Sequence, residues 1–542
     1  MITSLSLAEQ VAQMIVVRAS GHLFDQQIRY PVWEPPTQRL NYWLRDLGMG
    51  GVIFVDGSAV ELATRIQSLQ AVAKYPLLLA ADIEEGVGQR FAGATWFPPP
   101  MALGKIAESN PTQAQRYAKQ MGAITAEEAL AVGLNWVLAP VVDVNNNPEN
   151  PVINIRAFGE TPEIVSQLTT AFIQGCQDYS VLTTAKHFPG HGDTAVDSHL
   201  ELPSLPHSAE RLATIELPPF KAAIQAQVDA VMSAHLLIPA WDRTKPATLS
   251  TEILTGQLRQ NLGFTGLIVT DALVMGAIAN QYTPEEAAVL AVEAGADILL
   301  MPQDPEATLQ AVCQAVHQER ITPERIQESV QRIWQAKAKV YPGWKPPHPL
   351  PISTPQIFSA ATIARPAAQE IVEDILDESS TLSQPQQLAD QPSGSPPPVN
   401  PLKWNLVIVD SLLGNDFLDQ QTPAIALPGQ WGYQLHLIDS HTPNQLLGAL
   451  DSNHPPTLLQ LFVRGNPFRG SAGLTTSAYD WFKNLLRVDR LEAILIYGSP
   501  YALKQFVTEI PITVPYGFSY GQMPAAQLGV LKGLHSFSQG RV

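Results

Sequence analysis

The sequence predicts an α/β protein of two domains, a (β/α)8 barrel followed by a smaller α/β sandwich. Eight short apolar runs, rich in Val, Ile and Leu, recur along roughly the first 300 residues, and the stretches between them have helical period. Apolar strands that alternate with amphipathic helices indicate a parallel sheet covered by helices, and eight such units are the content of a (β/α)8 barrel. No Gly-x-Gly-x-x-Gly follows the first strands, which disfavours an open doubly wound sheet.

The barrel domain is predicted to span residues 1–341. It ends with a helix for which Thr322 suits the N-cap and Pro323 the first helical position, and which we expect to run to Val340. The predicted barrel strands are Met14–Val17, Gly51–Val55, Pro76–Ala81, Leu134–Val144, Val181–Ala185, Ala230–Ile238, Gly266–Thr270 and Ala296–Met301.

Residues 342–403 are predicted to be a proline-rich linker, since Tyr341 to Pro355 contain six prolines. The linker is expected to hold one helix from Pro366 and a mobile loop over Ser379 to Pro401, which is rich in Ser, Gln and Pro. Residues 404–542 then show a second α/β alternation and are predicted to form the sandwich. Its predicted strands are Leu406–Val409, Tyr433–Ile438, Leu458–Val463, Ala493–Tyr497 and Ile512–Val514.

Composition argues against several function classes. The 542 residues include 33 basic and 50 acidic side chains, a net charge of −17, so nucleic acid and anionic membrane surfaces would be repelled. Two cysteines, Cys176 and Cys313, are too few for a disulfide framework or a cysteine-based metal site. The first residues lack a signal pattern and no run is long enough for a membrane span, so we expect a cytoplasmic protein. Composition does not predict the oligomeric state.

The stretch from Ala185 to Pro203 concentrates chemistry-bearing side chains directly after the fifth predicted strand. It holds three histidines, a lysine and three acids, and almost nothing that could fill a core. One interpretation is a metal site formed by His187, His191 and His199. Another is acid–base chemistry, in which Asp197 orients and charges His199. The third is a polar loop whose histidines only satisfy backbone groups.

Other predicted strands also end in ionisable residues, as the barrel hypothesis requires, because active sites of such barrels lie at the C-terminal ends of the strands. Charges at one strand end would be ordinary loop residues, but five of the eight ends carry them, so we expect a site there. The residues are Asp82, Glu84, Glu85 and Arg90 after the third strand, Asp143 and Arg156 after the fourth, Lys186 and His187 after the fifth, His235 on the sixth and Asp271 at the seventh.

A Gly-x-Ser-x-Gly sequence around Ser519 is interpreted as a plain turn. The hydrolases that use this motif need an acid and then a histidine downstream of the serine. The chain has His535 after Ser519 but no Asp or Glu.

Several carboxylates at the mouth of a barrel in an acidic protein favour a glycosidase over a phosphate enzyme. Retaining glycoside hydrolysis uses a carboxylate nucleophile and a proton donor roughly 5 Å away. Asp271 suits the nucleophile because the seventh strand fixes its backbone, and Met275 could form an apolar wall beside it. These considerations leave the donor open among Asp82, Glu84, Glu85 and His199.

The run K-H-F-P-G-H-G-D-T, with the D-S-H that follows it, resembles the signature of the bacterial β-N-acetylglucosaminidases of glycoside hydrolase family 3. Asn135–Phe158, with A-P-V-V-D-V and N-P-V-I-N-I-R-A-F-G, and Pro246–Ala277, with T-D-A-L-V-M-G-A, resemble further segments of that family in the same order. The resemblance covers most of Ser6 to Val340, and the C-terminal domain resembles the second domain of longer members.

The resemblance implies a retaining exo-β-N-acetylglucosaminidase that acts on peptidoglycan-derived fragments. Asp271 would be the nucleophile, and His199, paired with Asp197, would be the general acid/base. A small carbohydrate is the implied substrate, and neither a cofactor nor a metal is implied. The residues implied to hold the sugar are Asp82, Arg90, Arg156, Lys186 and His187.

The chain departs from the family pattern in two places. Where the family has Asp-Gln-Glu-Gly-Gly, this chain has Asp82-Ile83-Glu84-Glu85-Gly86, which puts the details of sugar binding in question. Residues Gly21 to Arg39 resemble an insertion, which we expect to reshape the leaving-group side. The alternatives are a β-glucosidase or a phosphorylase of the same fold, a metal-dependent hydrolase that uses the histidine-rich loop, and a sugar-binding barrel without activity.

Overall fold

A computed structural model describes residues 5–346, 358–383, 402–412, 415–442, 450–464 and 476–538 of the chain. It divides into two compact units, Met1–Ile371 and Val372–Val542. The division falls within the helix Pro366–Ser379, whose start at Pro366 the sequence predicted. Within the described ranges, no helix is both long and apolar enough to cross a bilayer.

The first unit contains the predicted eight-stranded barrel. All eight strands are parallel, and their order follows the chain from β1 to β7, with β8 beside β1. A bridge between Val269 and Ile298 joins β7 to β8 and closes the ring. The strands are β1 (Ile15–Ser20), β2 (Gly51–Val55), β3 (Leu78–Ala81), β4 (Trp136–Val137), β5 (Leu182–Phe188), β6 (Ala230–Ser233), β7 (Leu267–Thr270) and β8 (Leu299–Leu300).

Helices connect the strands, as the alternation of patterns predicted. They are α1 (Leu7–Gln13), α2 (Thr37–Tyr42), α3 (Ala59–Val72), α4 (Met101–Ala107), α5 (Pro111–Ala131), α6 (Pro162–Cys176), α7 (Ala209–Thr214), α8 (Leu217–Gln225), α9 (Gly276–Ala279), α10 (Pro284–Ala294), α11 (Pro305–His317), α12 (Pro323–Val340) and α13 (Pro366–Ser379). Single-turn 3₁₀ helices cover Asp25–Gln27, Val87–Gln89, Asn154–Arg156, Ala247–Leu249 and Ala360–Thr362, and π-helices cover Trp43–Leu47 and Glu252–Asn261.

Many of these helices start at a polar cap followed by proline. In α12, Thr322 Oγ1 accepts a hydrogen bond from Arg325 N at 3.2 Å, and Pro323 occupies the first helical position, as predicted. The cap satisfies a backbone N–H that the helix leaves without a partner, and proline loses nothing there because its missing N–H would be unpaired anyway. The same arrangement begins α5, α6, α10 and α11.

The lengths of two barrel strands matter for the site. The sequence predicted a strand over Leu134–Val144, but β4 ends at Val137 and the chain then continues irregularly through Pro140, which cannot donate to a ladder. That irregular segment carries Asp143 to the edge of the neighbouring strand, where Val142 N donates to Lys186 O at 2.8 Å. Strand β5 is longer than predicted and includes Lys186 and His187, so both side chains emerge from the sheet itself.

The second unit is a six-stranded sheet with helices. Its strand order is β11-β10-β12-β13-β14-β9, parallel except for β9, which pairs antiparallel with β14. The strands are β9 (Thr381–Ser383), β10 (Lys403–Ile408), β11 (Tyr433–Ile438), β12 (Thr457–Val463), β13 (Leu491–Gly498) and β14 (Tyr516–Ser519). The helices are α14 (Pro423–Gln430), α15 (Thr476–Arg487), α16 (Pro500–Val507) and α17 (Pro524–Ser538).

Two predictions for this part of the chain need correction. The strand predicted over Ile512–Val514 is wrong: prolines flank the segment on both sides, Ile512 is exposed, and the strand begins later, at Tyr516. The start of the mobile loop predicted over Ser379 to Pro401 is also wrong: Ser379 is the last residue of α13, and Thr381–Ser383 form β9. Residues 384–401 of the predicted loop lie outside the described residues. Residues 347–357 of the predicted proline-rich linker also lie outside them.

The serine of the Gly-x-Ser-x-Gly sequence is the last residue of β14. Ser519 is buried, and its Oγ accepts a hydrogen bond from Gly521 N at 3.3 Å. The hydroxyl therefore closes a local turn.

Candidate active site

Lys186 lies at the centre of a buried charge network at the C-terminal end of β5. Its side chain is 1% exposed, and Nζ lies 2.6 Å from both Asp82 Oδ1 and Glu84 Oε1. Glu84 also accepts hydrogen bonds from Arg156 Nη2 and Nε at 2.7 and 2.8 Å. Burial raises the pKa of Glu84, but the charges of Arg156 and Lys186 hold this pKa well below its usual range. The network thus brings together three of the predicted sugar-binding residues, Asp82, Arg156 and Lys186, around the shared carboxylate of Glu84.

A second network fixes His187, the next residue along β5. The buried Asp143 accepts hydrogen bonds from the backbone N of His187 and of His191, at 3.1 and 2.7 Å, and lies 2.8 Å from His187 Nδ1. Burial raises the pKa of Asp143, but the interactions with His187 and His191 together outweigh burial and lower that pKa below the usual value. The Asp143 carboxylate therefore fixes both the ring of His187 and the start of the loop that follows β5.

His191 holds the middle of this loop together. It is buried, with Nδ1 2.8 Å from Thr194 Oγ1 and Nε2 3.0 Å from Ser198 Oγ. Burial lowers its pKa to about 4, so the ring is neutral at neutral pH. Ser198 is the residue between Asp197 and His199, and the contact ties the predicted acid–base pair to the base of the loop.

Asp197 and His199 form the predicted pair. His199 Nδ1 lies 2.9 Å from Asp197 Oδ1, and the same oxygen accepts the His199 backbone N–H at 2.8 Å. Asp197 is buried, whereas the His199 side chain is 18% exposed. Because Nδ1 faces the carboxylate, Nε2 is the ring nitrogen that points away from it.

Asp271 follows the last residue of β7, where its backbone N donates to Ser233 O at 3.2 Å. Burial raises its pKa, but the charges of His187, His235 and His199, in that order, outweigh burial and lower the pKa to about 2. His235 is buried beneath this segment, with Nε2 3.0 Å from the carbonyl oxygen of Ala272, so that nitrogen carries the proton. The residue at the seventh strand end is an ionised carboxylate surrounded by imidazoles.

The loop that carries Asp197 and His199 is called the acid–base loop below. The segment after β7 is hydrogen-bonded to the end of this loop. Gly276 N donates to His199 O at 3.1 Å, and Ala277 N donates to Ser198 O at 3.2 Å. The side chain of Asn280 donates to Leu200 O at 3.1 Å. A Cβ on Gly276 would lie 2.8 Å from His199 O and 2.7 Å from Leu200 O, so only glycine permits this approach. His199 and Asp271 are thereby brought to one end of the barrel.

Two family models match the chain. The model for the glycosyl hydrolase family 3 N-terminal domain matches residues 6–336, and that for the bacterial glycosyl hydrolase family 3 C-terminal domain matches residues 399–536. The chain belongs to glycoside hydrolase family 3. The resemblance seen in the motifs is confirmed, and so is the fold class, a (β/α)8 barrel with an α/β sandwich.

Individual relatives agree with this assignment. Beta-hexosaminidase A of Pseudoalteromonas piscicida is 34% identical over 54% of this chain and 54% of its own length, so the chain spans about half of that relative. A beta-hexosaminidase of Alkalilimnicola ehrlichii is 36% identical over 48% of this chain and 75% of its own length. A solved family 3 β-N-acetylglucosaminidase from Paenibacillus sp. superposes with a TM-score of 0.77 at 28% identity, covering 99% of this chain and 97% of that one.

The remaining predicted residues of this family 3 site lie around these networks. Arg90 Nε donates to the backbone oxygen of Asp82 at 3.1 Å, so the arginine supports the residue that contacts Lys186. Met275 is buried and caps the short helix α9, close in sequence to Asp271. Glu85, where the family pattern has glycine, is buried and accepts the indole N–H of Trp96 at 2.9 Å.

The metal interpretation of the histidine-rich loop finds no support in the geometry. Both ring nitrogens of His191 face hydroxyl groups, and Nδ1 of His187 and of His199 each face a carboxylate. Across the residues that the structure describes, no group of three or more His, Cys, Asp or Glu side chains is arranged to hold a metal ion.

The sequence predicts the candidate residues of this site but not several of the groups that contact them. The sequence presents Glu84 as a strand-end carboxylate and a candidate proton donor, but it does not predict that Lys186 and Arg156 share this carboxylate. Asp143 and His235 were recognised only as strand-end residues. The sequence does place both residues directly after apolar strands, where side chains are buried. A buried charged group needs hydrogen-bond or ion-pair partners, so this position indicates that such partners exist.

Proposed function

We propose that the protein is a retaining exo-β-N-acetylglucosaminidase, which cleaves terminal β-linked N-acetylglucosamine through a covalent glycosyl-aspartate. The observation that carries the proposal is the pairing of an ionised Asp271 with a carboxylate-held His199 on segments that are hydrogen-bonded to each other. The printed names of the family relatives, beta-hexosaminidase and β-N-acetylglucosaminidase, support this substrate class.

In this proposal Asp271 attacks the anomeric carbon. A nucleophilic carboxylate must be ionised, and a pKa of about 2 keeps it so at every physiological pH. The surrounding histidines stabilise the negative charge, while the short strand and the His235 contact to Ala272 fix the backbone at the strand end. Because the nucleophile is held in place before the substrate binds, orienting it for attack costs little free energy.

His199 transfers the proton from Nε2 to the glycosidic oxygen. The carboxyl groups at the third strand are poor donors, because Glu84 is ionised between two cations and Asp82 is paired with Lys186. Asp197 faces Nδ1 and stabilises the imidazolium that forms when His199 later accepts a proton from the attacking water.

The remaining charged residues hold the sugar. Asp82, with 28% of its side chain exposed, accepts hydrogen bonds from hydroxyl groups, and Lys186 holds that carboxylate in place. His187, Arg156 and Arg90 complete the polar wall, and Met275 supplies an apolar surface beside the ring. We further propose that the substrate comes from peptidoglycan-derived fragments and that the protein acts in the cytoplasm, which its two unpaired cysteines support.

Hydrolysis of an aryl β-N-acetylglucosaminide and of the matching aryl β-glucoside by the purified protein tests the proposal. We expect a higher kcat/KM for the N-acetylated substrate than for the glucoside. The glucoside is included because a relative from Cellulomonas fimi, 31% identical, is named both a β-N-acetylglucosaminidase and a β-glucosidase. The assay is run with and without phosphate, because an imidazole acid/base repels an incoming phosphate less than a carboxylate does. A preference for the glucoside, or a sugar 1-phosphate as the main product, would overturn it.

A further inference from the structure

Asn150 joins the segment after β4 to the acid–base loop. Its side chain is fully buried, and its Nδ2 donates to the carbonyl oxygens of His191 and Gly192 at 2.8 and 2.9 Å. We propose that Asn150 is a positioning residue for proton transfer, which holds the loop where His199 reaches the glycosidic oxygen. This role rests on the proposed function, because the proton donor that Asn150 positions is His199.

The Asn150 amide uses its full hydrogen-bonding capacity. Its Oδ1 accepts the backbone N–H groups of Val152 and Ile153 at 2.9 and 2.8 Å, and Nδ2 also lies 3.4 Å from Thr194 Oγ1. An amide oxygen accepts two hydrogen bonds and an amide nitrogen donates two, so only one orientation of the side chain satisfies these partners. Asn150 therefore locks two backbone segments to each other.

The acid–base loop needs such donors because its backbone is buried and irregular at this point. His191 and Gly192 are both buried, and neither belongs to a helix or strand. A Cβ on Gly192 would lie 1.7 Å from Val144 O, so the loop packs directly against the segment after β4. Buried backbone carbonyls require hydrogen-bond donors, and Asn150 Nδ2 supplies one to each of two consecutive carbonyls.

His191 extends this contact to the predicted acid–base pair. Its carbonyl oxygen accepts a hydrogen bond from Asn150, and its ring Nε2 lies 3.0 Å from Ser198 Oγ. Ser198 stands between Asp197 and His199 in the chain. A shift of the His191 backbone would therefore move the ring that supports the pair.

The segment that carries Asn150 also carries Arg156, one of the residues proposed to hold the sugar. Arg156 Nη1 donates to Val152 O at 3.0 Å, and Val152 N donates to Asn150 Oδ1. The contacts thus run from the arginine to the loop within seven residues of chain, Asn150 to Arg156. A proton donor displaced by about 1 Å from the sugar can lower the rate roughly 100-fold, so this fixed relation matters for catalysis.

Asn150→Asp tests the proposal with a nearly isosteric change. The variant keeps an oxygen for the two backbone N–H groups but replaces the Nδ2 donor by a carboxylate oxygen that faces two carbonyls. We expect kcat/KM for N,N′-diacetylchitobiose, whose leaving group needs the proton, to fall roughly 100-fold. For dinitrophenyl β-N-acetylglucosaminide, which needs no proton, kcat/KM should stay within about fivefold of the parent. Asn150→Ala, which removes the donor without adding a charge, should show the same inequality.

Asn135→Asp is the matched control at the other end of the barrel. Asn135 is also buried and directly precedes β4, where its Oδ1 accepts Leu79 N at 2.8 Å and its Nδ2 donates to Leu77 O at 3.1 Å. The same chemical change there should lower the temperature of thermal unfolding but affect both substrates equally. A loss in Asn135→Asp that is as unequal as that in Asn150→Asp would contradict a specific role for Asn150.

Hydrogen exchange of residues 191–201, followed by mass spectrometry, measures the order of the loop without any substrate. We expect exchange at least tenfold faster in Asn150→Asp and unchanged in Asn135→Asp. His199→Ala separates this inference from the proposed function: if it loses activity equally on both substrates, the acid assignment fails, and hydrogen exchange alone decides the role of Asn150. Unchanged exchange in Asn150→Asp, or equal losses on both substrates in that variant when His199→Ala gives unequal ones, would overturn the proposal.

Discussion

Two carboxylates lie within 2.6 Å of Lys186 Nζ, and one of them, Glu84, also carries a bidentate arginine. Burial disfavours the lysine cation, but Asp82 and Glu84 outweigh burial and raise its pKa. At the scale of single residues, the site depends on such compensation, because a buried charge that loses its partner costs several kcal/mol.

Glu84→Gln tests this dependence. It keeps the volume but removes the charge that Lys186 and Arg156 share, so both cations should shift away from the sugar site. We expect kcat/KM to fall about 100-fold, the equivalent of about 3 kcal/mol, with an unchanged circular dichroism spectrum. Glu85→Gln, the neighbouring buried carboxylate on Trp96, is the control and should stay within a few-fold of the parent. Similar losses in both variants would contradict a special role for Glu84.

Lys337 is a residue that weakens the fold at neutral pH. It is fully buried in α12, its Nζ donates to Gln13 Oε1 at 2.7 Å, and burial lowers its pKa from 10.5 to about 7. Since the unfolded chain binds the Lys337 proton more tightly than the folded chain does, burial of Lys337 lowers the free energy of unfolding. This destabilisation is full below about pH 7 and fades as the pH rises toward 10.

Lys337→Met should therefore stabilise the barrel by about 1–3 kcal/mol at pH 7, even though Gln13 loses a donor. The gain should shrink as the pH rises from 7 to 10, which denaturant unfolding at several pH values would measure. A destabilised variant, or a gain that grows with pH, would contradict this account of the lysine.

At the scale of elements, the acid–base loop depends on its contact with the segment after β7. Gly276 permits this contact because a Cβ there would lie under 3 Å from two carbonyl oxygens of the loop. At the other end, Gly192 packs so closely on Val144 that a Cβ would lie 1.7 Å from its oxygen. The loop is thus held at both ends by backbone packing, and His191 holds its middle.

Gly276→Ala should displace the loop and with it His199. Substrates with poor leaving groups need the proton, so their kcat/KM should fall roughly 100-fold, while activated aryl substrates lose much less. Hydrogen exchange of residues 197–201 should rise in parallel. Gly256→Ala is the matched control, because a Cβ there meets nothing closer than 3.8 Å. Equal losses on both substrate types would show that Gly276 acts through something other than the acid.

At the scale of the whole molecule, the sequence was sufficient for the barrel and the sandwich, but not for the positions at which β4 and β5 end. Periodicity fixes which face of a strand or helix is buried, and barrel topology then brings all C-terminal strand ends together. The failures were local. Short segments such as Ile512–Val514 are apolar enough for a strand, but flanking prolines remove the backbone donors that a ladder needs.

The partners within the site could not be read from the sequence, because they join distant positions. Glu84 and Arg156 are 72 residues apart, and Asp82 and Lys186 are 104 apart. The sequence shows that five of the eight strand ends carry ionisable residues, but not which of these residues share a hydrogen bond. The hydrogen bond between Trp43 and Glu306 is hidden for the same reason, since the two residues lie 263 positions apart.

The central claim is that Asp271 forms a covalent bond to the sugar, and one measurement tests it directly. The enzyme is incubated with a 5-fluoro analogue of N-acetylglucosaminyl fluoride, which slows breakdown of the glycosyl-enzyme, and its peptides are mapped by mass spectrometry. The account predicts one added sugar, on Asp271. An adduct on another carboxylate, or none in an enzyme that turns over N-acetylglucosaminides, would contradict it.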